Sequence, residues 1–146
     1  MLYTEFYSEL GKLLYSVADH HGIITQKEKK KLQEIIKTEL VPSEKHQDEF
    51  GTNAAFYSEI EFDFLEEEMG DAEAAFDSFN DFVEEHHTAF NESMKKVCLH
   101  VAEEIAAAYR GHNKNEKAMV EKLKKNFERI FSNTVKNNPV AGKTKL

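Results

Sequence analysis

Leu13-Leu14-Tyr15-Ser16-Val17-Ala18-Asp19-His20-His21-Gly22-Ile23-Ile24-Thr25-Gln26-Lys27-Glu28 carries the end of one helix, a tight turn and the start of another. Upstream of it, Tyr3, Phe6, Tyr7, Leu10, Leu13, Leu14, Val17 and Ala18 recur at spacings of three and four. That is one stripe of a 3.6-residue period, and it predicts a helix over about 2–19. His20 to Ile24 form the turn. Thr25-Gln26-Lys27-Glu28 has the form of a capping box, in which hydroxyl and carboxylate each satisfy a free backbone N–H. The second helix turns Leu32, Ile35, Ile36 and Leu40 inward and is expected to stop at Val41-Pro42, because proline disfavours a helical residue before it.

The rest of the chain repeats the same grammar. After a polar connection over 43–53, a third helix is expected over about 54–69, burying Phe56, Tyr57, Ile60, Phe64 and Leu65. Gly70-Asp71 ends it and caps a fourth, with Phe76, Phe79, Val83 and Phe90 at helical spacing. The fifth has the cleanest stripe: Met94, Val97, Cys98, Val101, Ala102 and Ile105. Arg110-Gly111-His112 is a further turn, Asn113-Lys114-Asn115-Glu116 a second cap, and Val120, Leu123, Phe127 and Ile130 the inner face of a sixth helix. The expected organisation is one all-α domain over 1–131 and a disordered tail over 132–146, where no period survives.

The opening stretch has an internal echo. Placing Thr25–Glu28 over Asn113–Glu116 aligns Val17 with Ile105, Ala18 with Ala106, Leu32 with Val120 and Ile35 with Leu123. The domain is therefore read as about six helices built around two similar helix-turn-helix hairpins.

Val17-Ala18-Asp19-His20-His21-Gly22-Ile23-Ile24-Thr25, followed by Glu28, resembles the tellurite-resistance TerB-like family. Its hallmark is a helix ending in Ala-Asp-Gly, then a hydrophobic residue, then a Glu opening the next helix. The core of the resemblance covers 13–36, and a looser one reaches about Phe131. The chain departs from the family in placing His20-His21 between Asp and Gly, and Ala107 where the second repeat calls for an acid. The resemblance implies an all-helical cytoplasmic protein, linked to metal and other stress responses and without an established enzymatic reaction. It also implies a divalent-cation site at the acidic turn.

The residues of that turn suit such an ion. Asp19 sits at a helix C-terminus, where a negative charge is unfavourable unless something offsets it, and the short turn brings it towards Glu28. Two carboxylates beside His20 or His21 offer ligands to a hard or borderline cation. The same residues also make a well-capped corner, with Glu28 as the cap and Asp19 bonding turn N–H groups. A second constellation pairs histidine with carboxylate on one helix face: Glu84 with His87, and His100 with Glu104. Di-iron helical bundles are built from such pairs, but they need matched ligands from four helices, and the sequence supplies no second Glu-x-x-His.

Composition narrows the classes further. The 146 residues are 40% apolar and 32% charged, with two prolines and six glycines, a balance that suits amphipathic helices. Between His46 and Met94 lie fifteen Asp and Glu and no Lys or Arg, together with eight of the eleven phenylalanines. Such a segment is apolar inside and anionic outside. It repels nucleic-acid phosphates and fits a basic protein surface, so an acidic interaction module is the alternative to the cation reading. No apolar run is long enough to span a membrane, and the first ten residues carry Glu5 and Glu9 and no basic cluster, so a cytoplasmic protein is expected. Cys98, the single cysteine, lies on an apolar stripe and reads as a buried thiol. No nucleophile motif or Gly-rich phosphate loop is present.

Overall fold

From Leu13 to Ala18 every residue is buried, so the first helix is wrapped by the others rather than laid on them. The computed structural model describes residues 2–18, 26–45, 52–108 and 114–136. They form one all-α domain, with no strand among the described residues. In order they are α1 (Leu2–Ala18), α2 (Gln26–Ile35), α3 (Phe56–Glu67), α4 (Ala72–Glu85), α5 (Glu92–Ala108) and α6 (Lys114–Lys136). α1 packs against α3, α4, α5 and α6, while α2 packs against α5. No described helix is long and apolar enough to cross a membrane.

Outside α3 the positions that the periodicity selects supply most of the core. All eight residues aligned by the internal repeat are buried: Val17, Ala18, Leu32 and Ile35, and Ile105, Ala106, Val120 and Leu123. The two turns that complete the repeat, with Thr25 and Asn113, lie outside the described residues, and the helices that follow start at Gln26 and Lys114. Aromatic rings tie the helices together on one side. Phe90 sits 5.6 Å from Phe6 and 6.1 Å from both Phe82 and Phe131, and Phe127 adds a stacked contact to Phe79 at 6.3 Å. Offset and edge-to-face pairs of this kind add about 0.5–1.5 kcal/mol each beyond area burial.

Several boundaries differ from the periodic reading. α2 does not stop before Pro42 but widens into a π turn, Ile36–Leu40, and continues through Val41–Ser43. Val41 keeps helical backbone angles, and its N–H reaches the Ile36 carbonyl. The wider turn gives room for a proline ring that would crowd an α-helix. Phe90 belongs to no helix, since α4 ends at Glu85 and a 3-10 turn, His87–Ala89, delivers it to the core. α6 runs to Lys136, past the expected boundary at 131; residues 137–146 lie outside the described set.

α3 brings the main correction. Ile60 and Phe64, expected inside, are 56% and 55% exposed. The buried face carries Ser58 and Phe62 instead, about half a helical turn away at roughly 100° per residue. Contact with α1 decides this register. Gly11 of α1 lies so close that a Cβ there would sit 2.5 Å from the Ser58 carbonyl oxygen. The Ser58 hydroxyl donates to the Tyr7 carbonyl at 2.7 Å. Tyr15 packs edge-on against Phe62 at 5.8 Å and donates its hydroxyl to the Gly70 carbonyl at 2.7 Å. Ser58, small and able to donate to the Tyr7 carbonyl, faces α1 beside Gly11, and Ile60 turns outward.

The ends of the helices are held by side chains. Asn53 donates to the Val41 and Glu44 carbonyls and accepts from the Ala55 N–H, joining the end of the α2 extension to the start of α3. Tyr7 donates to Glu44 Oε1 at 2.8 Å. Asp71 accepts from the N–H groups of Glu73 and Ala74, capping α4 as its position in the sequence implies. α3 closes with the Gly70 N–H on the Leu65 carbonyl and the Met69 N–H on that of Glu66. That is a Schellman motif, with Met69 at φ 55° in the place that glycine usually takes.

Two substitutions test this account. Gly11→Ala must push α1 and α3 apart, because the obstacle is backbone. We expect a net loss of about 1–3 kcal/mol in urea unfolding, although alanine is the better helix former. Met69→Gly removes left-handed strain from an exposed side chain and is expected to raise stability by roughly 0.5–1 kcal/mol in the same measurement.

Candidate metal centre

α5 turns Cys98, Val101, Ala102 and Ile105 into the core, which leaves His100 and Glu104 on the side that meets α2. Four residues apart, they share that face. The third member comes from the π turn. In an uninterrupted α-helix Glu39 would fall within about 20° of Leu32, on the buried stripe. The π turn shifts the register, so Leu40 is buried while the Glu39 side chain is 36% exposed and reaches α5.

His100 Nε2 lies 2.9 Å from Glu39 Oε1 and 3.5 Å from Glu104 Oε1. One ligand atom from each of the three lies within 4.8 Å of the others, and they are the group found among the described residues that could hold a metal ion. Glu104 Oε1 is buried without a hydrogen-bond partner, since 3.5 Å to His100 is an electrostatic contact rather than a hydrogen bond. On the other side of Glu104, the Lys31 ammonium stands 4.0 Å from Oε2. A groove of about 390 Å³ opens beside the cluster, lined by Lys27, Lys30, Lys31, Glu34, Glu104 and Ala107.

Electrostatically the cluster is loaded with negative charge. Desolvation first, then the Glu39 side chain, through a shared hydrogen bond and through its charge, hold the Glu104 carboxyl above its ordinary value, against the pull of Lys31 and His100. Two carboxylates and an imidazole nitrogen at these separations can share a proton, or they can share a cation.

The residues singled out from sequence fare differently. His100 and Glu104 are brought together as their spacing implies. Glu84 and His87 are not: His87 Nδ1–H donates to the Glu84 backbone carbonyl at 2.8 Å, while the Glu84 carboxylate turns to Arg129 at 3.6 Å. The described residues therefore do not assemble the four-helix ligand set of a di-iron bundle. Asp19, His20, His21 and the Glu28 side chain lie outside the described residues. Cys98 is fully buried, and burial pushes its thiol far above its ordinary value, as suits a core thiol.

Glu104 also sets an expectation for stability. A carboxyl whose pKa is raised by folding contributes stability below its unfolded pKa, and that contribution is lost as pH rises through the folded value. In metal-free protein the contribution of Glu104 should therefore be lost as pH climbs through its raised, folded-state value. Glu104→Gln should remove that loss and raise Tm at neutral pH by about 1–3 °C, measured by thermal unfolding with chelator present.

No family model, no curated protein and no solved structure matches this chain.

Proposed function

We propose that this chain is a non-enzymatic, TerB-like, stress-associated protein that binds one divalent cation, with Glu39, His100 and Glu104 as its ligands. The observation that carries the reading is the convergence of an imidazole nitrogen and a carboxylate of α5 with a carboxylate of the π turn, Glu104 having a buried oxygen without a hydrogen-bond donor beside it. Ligand atoms about 2.1 Å from a tetrahedral ion sit about 3.4 Å from one another. The 2.9 and 3.5 Å separations across His100 need little adjustment to meet that. A neutral imidazole with two carboxylates suits zinc, manganese or ferrous iron better than calcium, which asks for more oxygen ligands. The two carboxylate charges balance the ion, and its arrival removes the repulsion between Glu39 and Glu104. The TerB-like assignment rests on the 17–28 motif and on burial of all eight repeat-aligned positions.

Binding should strengthen as pH rises, because the ion displaces the proton that Glu104 retains. Calorimetric titration of chelator-treated protein with zinc and with manganese is expected to give one site per chain. His100→Ala and Glu104→Gln should each weaken it at least tenfold. Asp19→Ala distinguishes the two candidate loci. Unchanged binding in that variant supports the Glu39–His100–Glu104 site. Binding lost in Asp19→Ala but retained in His100→Ala moves the ion to the 17–28 corner. No heat with either metal leaves the acidic interaction module as the reading.

A further inference from the structure

The outward face of α3 joins two properties that a solvated helix rarely combines. Ile60 and Phe64 stand one turn apart with more than half of each side chain exposed, and Met69, just past the same helix, is 86% exposed. At 100° per residue Asp63 and Glu67 flank this pair on one side, and Glu61 and Glu68 on the other. The apolar stripe is thus edged by carboxylates along both sides. α3 lies inside the 46–94 segment, which has no Lys or Arg of its own. A cation reaches this helix from α2, where Lys29 pairs with Glu66 at 2.9 Å on the side nearer the core.

We propose that the Ile60–Phe64 face of α3 is a docking surface for a basic amphipathic helix of a partner protein. Apolar anchors at i and i+4 are the spacing with which one helix reads another, and an exposed aromatic beside an aliphatic residue is a common centre for such contacts. The carboxylate edges select the occupant. A partner with Lys or Arg flanking its apolar stripe places positive charge along both edges, whereas a second copy of this chain would set carboxylates against carboxylates. Crowding on the α3 surface points the same way. Desolvation, with Glu66 and Glu67 close by, holds the Asp63 carboxyl above its ordinary value despite Lys29. Arriving cations would relieve that repulsion. The 12 residues of α3 give a platform about 18 Å long, room for roughly three turns of partner helix. This surface and the Glu39–His100–Glu104 cluster lie on different helices, so neither proposal depends on the other.

The test uses the full chain and a fluorescein-labelled 18-residue peptide of leucine and lysine patterned as an amphipathic helix, with a scrambled peptide of the same composition as control. Fluorescence anisotropy should show saturable binding of the patterned peptide and at least tenfold weaker binding of the scrambled one. The double variant I60S/F64S, which alters only exposed positions and should keep its helical circular dichroism, is expected to weaken binding at least tenfold. E67Q/E68Q is expected to weaken it less and to flatten its salt dependence. Equal binding of both peptides, or a wild-type affinity in I60S/F64S, would show charge attraction alone and overturn the proposal. So would a wild-type dimer in sedimentation that I60S/F64S converts to monomer, since the occupant would then be a second copy.

Discussion

The close crossing of α1 and α3 at Gly11 and Ser58 sets the positions of most of the elements around it. With no Cβ on Gly11, the Ser58 carbonyl can approach to a distance that a side chain would block, and the Ser58 hydroxyl closes the contact on the Tyr7 carbonyl. Once that register is set, Phe62 must point inward, and Ile60 and Phe64 must point out. The start of α3 is fixed in turn, and through Asn53 so is the end of the α2 extension. Tyr7 holds Glu44 from the other side. Glu39, five residues before Glu44, lies in the π turn that aims it at α5. The exposed Ile60–Phe64 face is a consequence of this one backbone contact.

The acidic half is attached to its basic surroundings mostly at the rim. Lys29–Glu66, Arg129–Glu84 and the Glu9–Lys12–Ser78 cluster each join an acidic element to a neighbour. Partly exposed pairs of this kind are worth about 0–1 kcal/mol each, so they orient the helices rather than hold them. Cohesion comes from the phenylalanines beneath. Phe62, Phe76, Phe79, Phe82 and Phe90 are buried, and each contributes on the order of 1.5–3 kcal/mol by leaving water. The surface is consequently free to carry a strong excess of one charge.

Reading the sequence by period recovered the helices and the core well, because burial of a stripe is a local property of 3.6-residue spacing. Leu10, Leu13, Leu14 and Val17, and Cys98, Val101, Ala102 and Ile105, are buried as their spacing says. On α3 Phe56, Tyr57 and Leu65 pack against the core as expected, but Ile60 and Phe64 do not, because apolar residues surround the helix and period alone cannot choose a face. Gly11, some fifty residues away, made the choice. The reading also missed Glu39. The signal was present, a carboxylate in register with Leu32, Ile35 and Ile36, but a π turn cannot be read from spacing, and its partner helix lies sixty residues on. His100 with Glu104 was legible, since both sit on one helix face. Asp19, His20, His21 and the Glu28 side chain fall outside the described residues, so the chemistry of that corner rests on sequence alone.

Cys98 is a core side chain, yet its placement has a second use. The thiol is fully buried at the middle of α5 and is the chain's single cysteine. A thiol so placed resists alkylation until α5 leaves the core, because only the exposed thiolate reacts. The rate at which it is labelled therefore counts openings of the core. The same residue that stabilises the fold as a small apolar side chain is a clock for how often that fold comes apart.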